Sequence, residues 1–115
     1  MKIIKAEQLK SDLDSGKDMI LINALTKNHF ADCHIIKSIN ICFESDFVHE
    51  TAGWKKDQYI VVHCGSIICG ASKAAVTKLE ALGFTNVYLY EDGLKDWLKK
   101  GYPTEGACQG FYLKS

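Results

Sequence analysis

The chain is 115 residues long, 47% hydrophobic and 24% charged, with fourteen basic side chains balanced by fourteen acidic ones. Those proportions suit one folded domain, expected to span residues 1–115, and exclude an intrinsically disordered polymer. A formal charge of zero leaves nothing to neutralise phosphates, and no run of about 18 apolar residues exists to cross a bilayer; nucleic acid and membrane are not expected partners.

Lys2 to Lys5 opens the chain as a short β-prone segment. The first sixteen residues lack the continuous apolar core of a secretory leader, so a cytoplasmic location is expected. Ala6, Leu9 and Leu13 recur at helical spacing, and Gly16 can stop that helix. Met19 to Ile22 is a continuous apolar run, the mark of a strand covered on both faces. Thr26 can cap a brief helix that holds Phe30. Ser38 to Ile41 reads as a third strand. Residues 42–57 show no clear period, and Phe43, Phe47 and Trp54 are expected to fold onto the core. Tyr59 to His63 is the central strand. A loop from Cys64 to Gly70 follows, and then a helix in which Ala71, Ala75, Leu79 and Leu82 fall on one face, ended by Gly83. Val87 to Tyr90 is the next strand. Gly93 precedes a short helix with Leu94, Trp97 and Leu98, stopped by Gly101 with Pro103 just beyond. From Glu105 onward the signals are weak. Strands alternating with helices imply a parallel sheet covered on both faces, with its functional loops at the strand carboxyl ends. Three such loops are Asn23 to Thr26, Cys64 to Gly70 and Glu91 to Gly93.

The middle loop carries the chemistry. A cysteine at the carboxyl end of a parallel strand, just before a helix, sits where open α/β sheets bind ligands. The helix start supplies unpaired N–H groups and partial positive charge. Gly65 and Gly70 are read as letting the loop curl into an anion cradle. A free thiol titrates near about 8.5, and such surroundings favour the thiolate. The residues therefore point to a nucleophilic Cys64, against the plainer reading of a buried cysteine ending a strand. Five cysteines, an odd number, are expected to be free thiols rather than a disulfide framework.

The ordering resembles a single rhodanese domain. LINALTKNHFADCHIIKSINI (21–41) is similar to the family signature L-I-D-V-R-T-x-x-E-F-x-x-G-H-I-P-G-A-I-N-I. Residues 61–103 resemble the active-site loop, its helix and the closing G-G-x-x-x-W-x-x-x-G-x-P, with Gly83, Phe84, Asn86, Val87, Gly93, Trp97, Gly101 and Pro103 in register. The Cys-x4-Cys spacing of the loop resembles a branch with two loop cysteines. The chain departs from the pattern at Asn23, Leu25, His29, Cys33, Ile36, Lys37 and Asp92, lacks the loop arginine, and has a loop one residue longer than the commonest form. The resemblance implies a three-layer α/β/α fold around a parallel sheet of about five strands. It also implies sulfurtransferase activity: sulfane sulfur passes from polysulfide, persulfide or thiosulfate, through a Cys64 persulfide, to a thiol or cyanide acceptor, small or carried on a protein, with no cofactor.

On this reading Gly65, Ser66, Ile67, Ile68, Cys69 and Gly70 bind substrate through their backbone, and Cys69 is also a candidate resolving cysteine. Ser72 is expected to cap or pack at the helix start, and Lys73 either attracts an anionic donor or is solvated. His63 should point away from Cys64, because side chains alternate along a strand. His34 matches a structural histidine and is read as a loop anchor. Cys33, Cys42 and Cys108 are read as buried or incidental thiols. A zinc set of Cys33, His34, Cys64 and Cys69 is disfavoured because the first two are adjacent rather than at ligand spacing. Three other functions compete. The resemblance also admits a phosphatase or arsenate reductase, but such enzymes need a loop arginine to clamp the oxyanion, and all fourteen cations here are lysine. The others are a non-catalytic interaction module and a Cys64/Cys69 dithiol–disulfide redox protein.

Overall fold

Four consecutive residues, Ile60 to His63, are almost inaccessible to solvent and form the middle strand of a five-stranded sheet. The computed structural model describes residues 1–65 and 70–110. In chain order its elements are β1 (Lys2–Ile3), α1 (Ala6–Asp14), β2 (Ile20–Asn23), α2 (Lys27–Asp32), β3 (His34–Ile35), β4 (Ser38–Asn40), α3 (Phe47–Glu50), β5 (Ile60–His63), α4 (Ala71–Ala81), β6 (Val87–Tyr90), α5 (Gly93–Lys99) and β7 (Thr104–Glu105). The main sheet runs β1-β6-β5-β2-β4, parallel throughout. A second, antiparallel pair joins β3 to β7.

Alternation along the strands sorts the core into two halves. Ile22, Val62 and Leu89 face α4 and Phe47 of α3. Leu21, Val61 and Tyr90 face α1 and α5, among Leu9, Leu94 and Trp97. The result is the expected three-layer α/β/α arrangement around five parallel strands. Phe43, Phe47 and Trp54 do pack on the first core, as the aperiodic stretch suggested. Thr26 caps α2 by accepting the His29 N–H at 3.4 Å.

One sequence expectation holds on a wider face than expected, and one needs correction. The buried face of α4 is Ser72, Ala75, Val76 and Leu79. The expected stripe of Ala71, Ala75, Leu79 and Leu82 does pack on the first core, Ala71 and Leu82 at its partly buried margin, and the face extends beyond it to Ser72 and Val76. Ser72 consequently faces inward. The correction concerns the thiols. Cys33 and Cys108 form a disulfide across 75 residues, with α-carbons 4.4 Å apart. Five cysteines leave room for up to two bridges beside a free thiol, and the β3–β7 pairing brings these two together.

Candidate active site at the carboxyl end of the sheet

Cys64 follows the last residue of β5 and is buried, with 1% exposure. Its position is set from three sides. The strand before it is locked: His63 C=O accepts the Ala24 N–H at 2.9 Å. The backbone after it is tied to α5. Leu94 N–H donates to the Cys64 carbonyl and Lys95 N–H to the Gly65 carbonyl, both at 2.8 Å. Gly93 permits this approach because its φ of +76° lies in the left-handed region. A trans peptide carries C=O and N–H on opposite sides, so with the Cys64 carbonyl turned to α5 the Gly65 N–H points away from that helix.

The third constraint is on the sulfur. Cys64 Sγ lies 3.1 Å from Ser72 Oγ, a hydroxyl whose residue is 2% exposed. A hydroxyl can donate to a thiolate, and a hydrogen bond to the charged form favours it. The sequence pattern gives Ser72 no part beyond helix capping or packing. A signal is nonetheless present: Ser72 stands three and four residues before Ala75 and Val76, on the face that α4 turns to the sheet.

The remaining expected site residues divide. Ser66, Ile67, Ile68 and Cys69 lie outside the described residues. Gly70 is the exposed residue before α4, with φ −86°, a conformation any residue adopts. The curl attributed to Gly70 therefore does not depend on its being glycine. Lys73 pairs with Glu91 at 3.4 Å, so its charge is shared with the third loop. His34 is an anchor as expected: its ring stacks on Phe30, Nδ1 meets the Phe30 carbonyl at 2.8 Å, and Nε2 meets Glu105 at 3.1 Å.

His63 faces the α5 side, away from the face Cys64 Sγ takes toward α4. It stands in register between Asn23 and Tyr90. Its Nδ1 lies 3.2 Å from the Cys64 carbonyl. A carbonyl only accepts, so that nitrogen carries the proton in the neutral ring. Burial pushes His63 down from 6.5 to about 4, against the smaller opposing effect of the Cys64 carbonyl. Among the described residues, His63 Nε2 and Asn23 Nδ2 are buried polar atoms without partners. They are an acceptor and a donor on neighbouring strands, a pairing suited to a bridging water. Asn23 Oδ1 is already engaged by the Leu25 N–H at 2.9 Å. Among the described residues no cluster of histidine, cysteine and carboxylate side chains is arranged to hold a metal.

The family profile described as Rhodanese-like domain matches residues 5–100. The chain belongs to the rhodanese-like family. Solved rhodanese-like structures share its fold. The solution structure of a rhodanese-like domain from an Anabaena protein superposes with a TM-score of 0.82 at 26% identity, covering 96% of this chain and 83% of that one. A Bacillus halodurans protein superposes at 0.86 with 23% identity, covering 93% and 78%. A thiosulfate sulfurtransferase from Pseudomonas aeruginosa superposes at 0.78 with 20% identity over 92% of this chain and 20% of its own; this likeness carries the fold alone. No curated protein matches the chain. In the rhodanese-like frame, Cys64 stands at the carboxyl end of the central strand, and among the described residues no helix is long and apolar enough to cross a membrane.

Proposed function

We propose that the protein is a sulfurtransferase that carries sulfane sulfur on Cys64. One observation supports this most directly. Cys64 has its carbonyl tied to α5 at 2.8 Å and its sulfur 3.1 Å from the Ser72 hydroxyl, so a reactive atom is held in one orientation beside a donor. The thiolate attacks the outer sulfur of a donor. The donor's S–S bond breaks, the leaving group departs with the electron pair, and Cys64 becomes a persulfide. An acceptor thiolate then attacks the outer sulfur and restores the Cys64 thiolate. Splitting the transfer into two displacements lets donor and acceptor use one site in turn. The acceptor is a thiol, small or on a protein, and the thiol-rich cytoplasm is the compartment that supplies it.

Donor preference follows from the cations. Thiosulfate presents oxyanion oxygens that an arginine fork would hold, and the chain has no arginine. Lys73 is engaged with Glu91. Polysulfides and persulfides, which lack those oxygens, should therefore be used better than thiosulfate.

The experiment is to treat the reduced protein with polysulfide or with thiosulfate and locate added sulfur by peptide mass spectrometry. The peptide holding Cys64 should gain the mass of one sulfur atom, about 32 Da, with polysulfide, and Cys64→Ser should gain nothing there while remaining folded. Sulfur transfer undiminished in Cys64→Ser, or a larger specificity constant for thiosulfate than for polysulfide, would defeat the corresponding half of the reading.

A further inference from the structure

The segment after α5 is fastened to the end of α2 by an unusual concentration of bonds. Cys108 is joined to Cys33, and its N–H donates to the Asp32 carbonyl at 2.8 Å. The N–H groups of Gln109 and Gly110 donate to the two carboxylate oxygens of Asp32 at 3.0 and 2.9 Å. Gly106 passes so close that a Cβ there would stand 2.2 Å from the Asp32 carbonyl oxygen, and its φ is +101°. Cys108 itself takes a φ of +55°, uncommon for a residue with a side chain. This segment lies beyond residue 100, where the match to the rhodanese-like family ends.

Two features make the bridge decisive for the fastening. Glu105, Gly106, Ala107 and Gln109 are exposed, so little apolar burial holds the segment in place. Without the bridge, residues 104–110 keep a ladder of two residue pairs, the His34–Glu105 contact and the N–H bonds to Asp32, and such bonds at the surface are weak in water. Cys33 is fully buried, but Cys108 is partly open to solvent. A thiolate can therefore reach the bridge from one side.

The clasp is also connected to the site. Pro103, next to β7, accepts the indole N–H of Trp97 at 2.9 Å and the Ile36 N–H at 3.5 Å. Trp97 is fully buried in α5. The same helix supplies the N–H groups that hold the carbonyls of Cys64 and Gly65. Tyr102 stays packed edge-on to Trp97, but a released segment would free the chain on the other side of Pro103, weaken its hold on the Trp97 indole and loosen the helix that positions the nucleophile.

We propose that Cys33–Cys108 is a redox-modified clasp, opened by a dithiol, whose opening loosens the hold of α5 on the backbone at Cys64. The chemistry is thiol–disulfide exchange. One thiolate of the reductant bonds to Cys108 Sγ, the S–S bond breaks, and Cys33 leaves as a thiolate. The reductant's second thiol then displaces Cys108, so the reductant ends as a disulfide and the protein as two thiols. In the reducing compartment proposed above, disulfides are mostly transient, catalytic or redox-sensing, and the clasp is read as one of these. The effect on sulfur loading rests on the sulfurtransferase reading; the structural coupling does not.

The test is a ¹H–¹⁵N spectrum of the full chain, with the bridge closed and after dithiothreitol, and with non-reducing peptide mapping of each sample. The expected result is a mapped Cys33–Cys108 bridge that dithiothreitol removes. Its removal should move the Trp97 indole N–H and the amides of Leu94 and Lys95. The Trp54 indole, packed against Phe84 on the opposite face of the sheet, should stay. Cys108→Ser should give the opened spectrum whatever the solution redox state; if that variant does not fold, titration of the parent with dithiothreitol decides. The proposal is overturned by absence of the bridge, by shifts confined to residues flanking Cys33 and Cys108, or by collapse of the whole spectrum on reduction. Polysulfide loading of Cys64 is then compared in the two states, slower loading being expected with the clasp open. No loading in either state would count against the sulfurtransferase reading, while the spectral shifts would still decide for or against the clasp.

Discussion

Ser72 and His63 hold Cys64 from opposite faces of the sheet, and each makes a different test. Ser72 contributes a buried hydroxyl 3.1 Å from the sulfur. A hydrogen bond to a charged group is worth about 1.5–3 kcal/mol. Ser72→Ala should therefore slow formation of the Cys64 persulfide by about 10- to 100-fold while leaving the melting temperature nearly unchanged, and Ser72→Thr should restore part of the rate. Equal rates in the parent and Ser72→Ala would remove the hydroxyl from the mechanism. His63 acts on stability. Its folded value of about 4 lies below the 6.5 of an exposed histidine. The unfolded chain thus takes up a proton before the folded one does. The stability linked to the neutral ring is complete above 6.5 and is lost as pH falls from there to about 4, a total of about 3 kcal/mol. Urea midpoints measured across that window should fall more steeply for the parent than for His63→Gln. Equal slopes would mean that another group carries the acid sensitivity.

The elements around the site are legible in the sequence to different degrees, for reasons that lie in their lengths. β5 and α4 announce themselves by a continuous apolar run followed by a helical period. α5 is short, but its residues bury deeply: Trp97 is inaccessible, donates its indole N–H to Pro103, and packs edge-on to Tyr90 and Tyr102. Trp97→Ala should cost about 3–5 kcal/mol as a large-to-small core change, read as a lowered urea midpoint. An unchanged midpoint would contradict the burial of that side chain. β3 and β7 contribute two residues each, too few for any period to show. The inward turn of Ser72 escapes local pattern for a related reason. Helical spacing defines an apolar stripe, but the sheet covers a wider face than that stripe, and a polar residue at its edge comes inward.

At the scale of the molecule, the Cys33–Cys108 bridge closes a loop that contains β3 through β7 and, with it, the strand and helices that carry Cys64, Ser72 and Leu94. By chain entropy, a link across 75 residues should stabilise the fold by about 4 kcal/mol. Dithiothreitol should lower the urea midpoint of the parent by a corresponding amount and leave Cys108→Ser unaffected. A parent midpoint insensitive to reductant would show that the unfolded chain gains little freedom when the link is cut. This global effect and the local release of Trp97 are separable, because resonance positions report the folded state while midpoints report the difference between folded and unfolded states.

The order along the chain of the five strands of the main sheet, the parallel sheet and the placing of Cys64 at a strand end followed from the sequence alone. Each rests on apolar periodicity and on glycine positions that act over a few neighbouring residues. The family pattern added the register of Gly93, Trp97 and Pro103. Only the tertiary structure decided that Ser72 meets the sulfur, that Asn23, His63 and Tyr90 form one line across three strands, and that Cys33 and Cys108 are joined. These depend on which face of a helix the sheet accepts, on strand register, and on the closing of a loop of 75 residues. None leaves a periodic trace in the chain, because each is a contact between segments whose separation in sequence bears no relation to their distance in space.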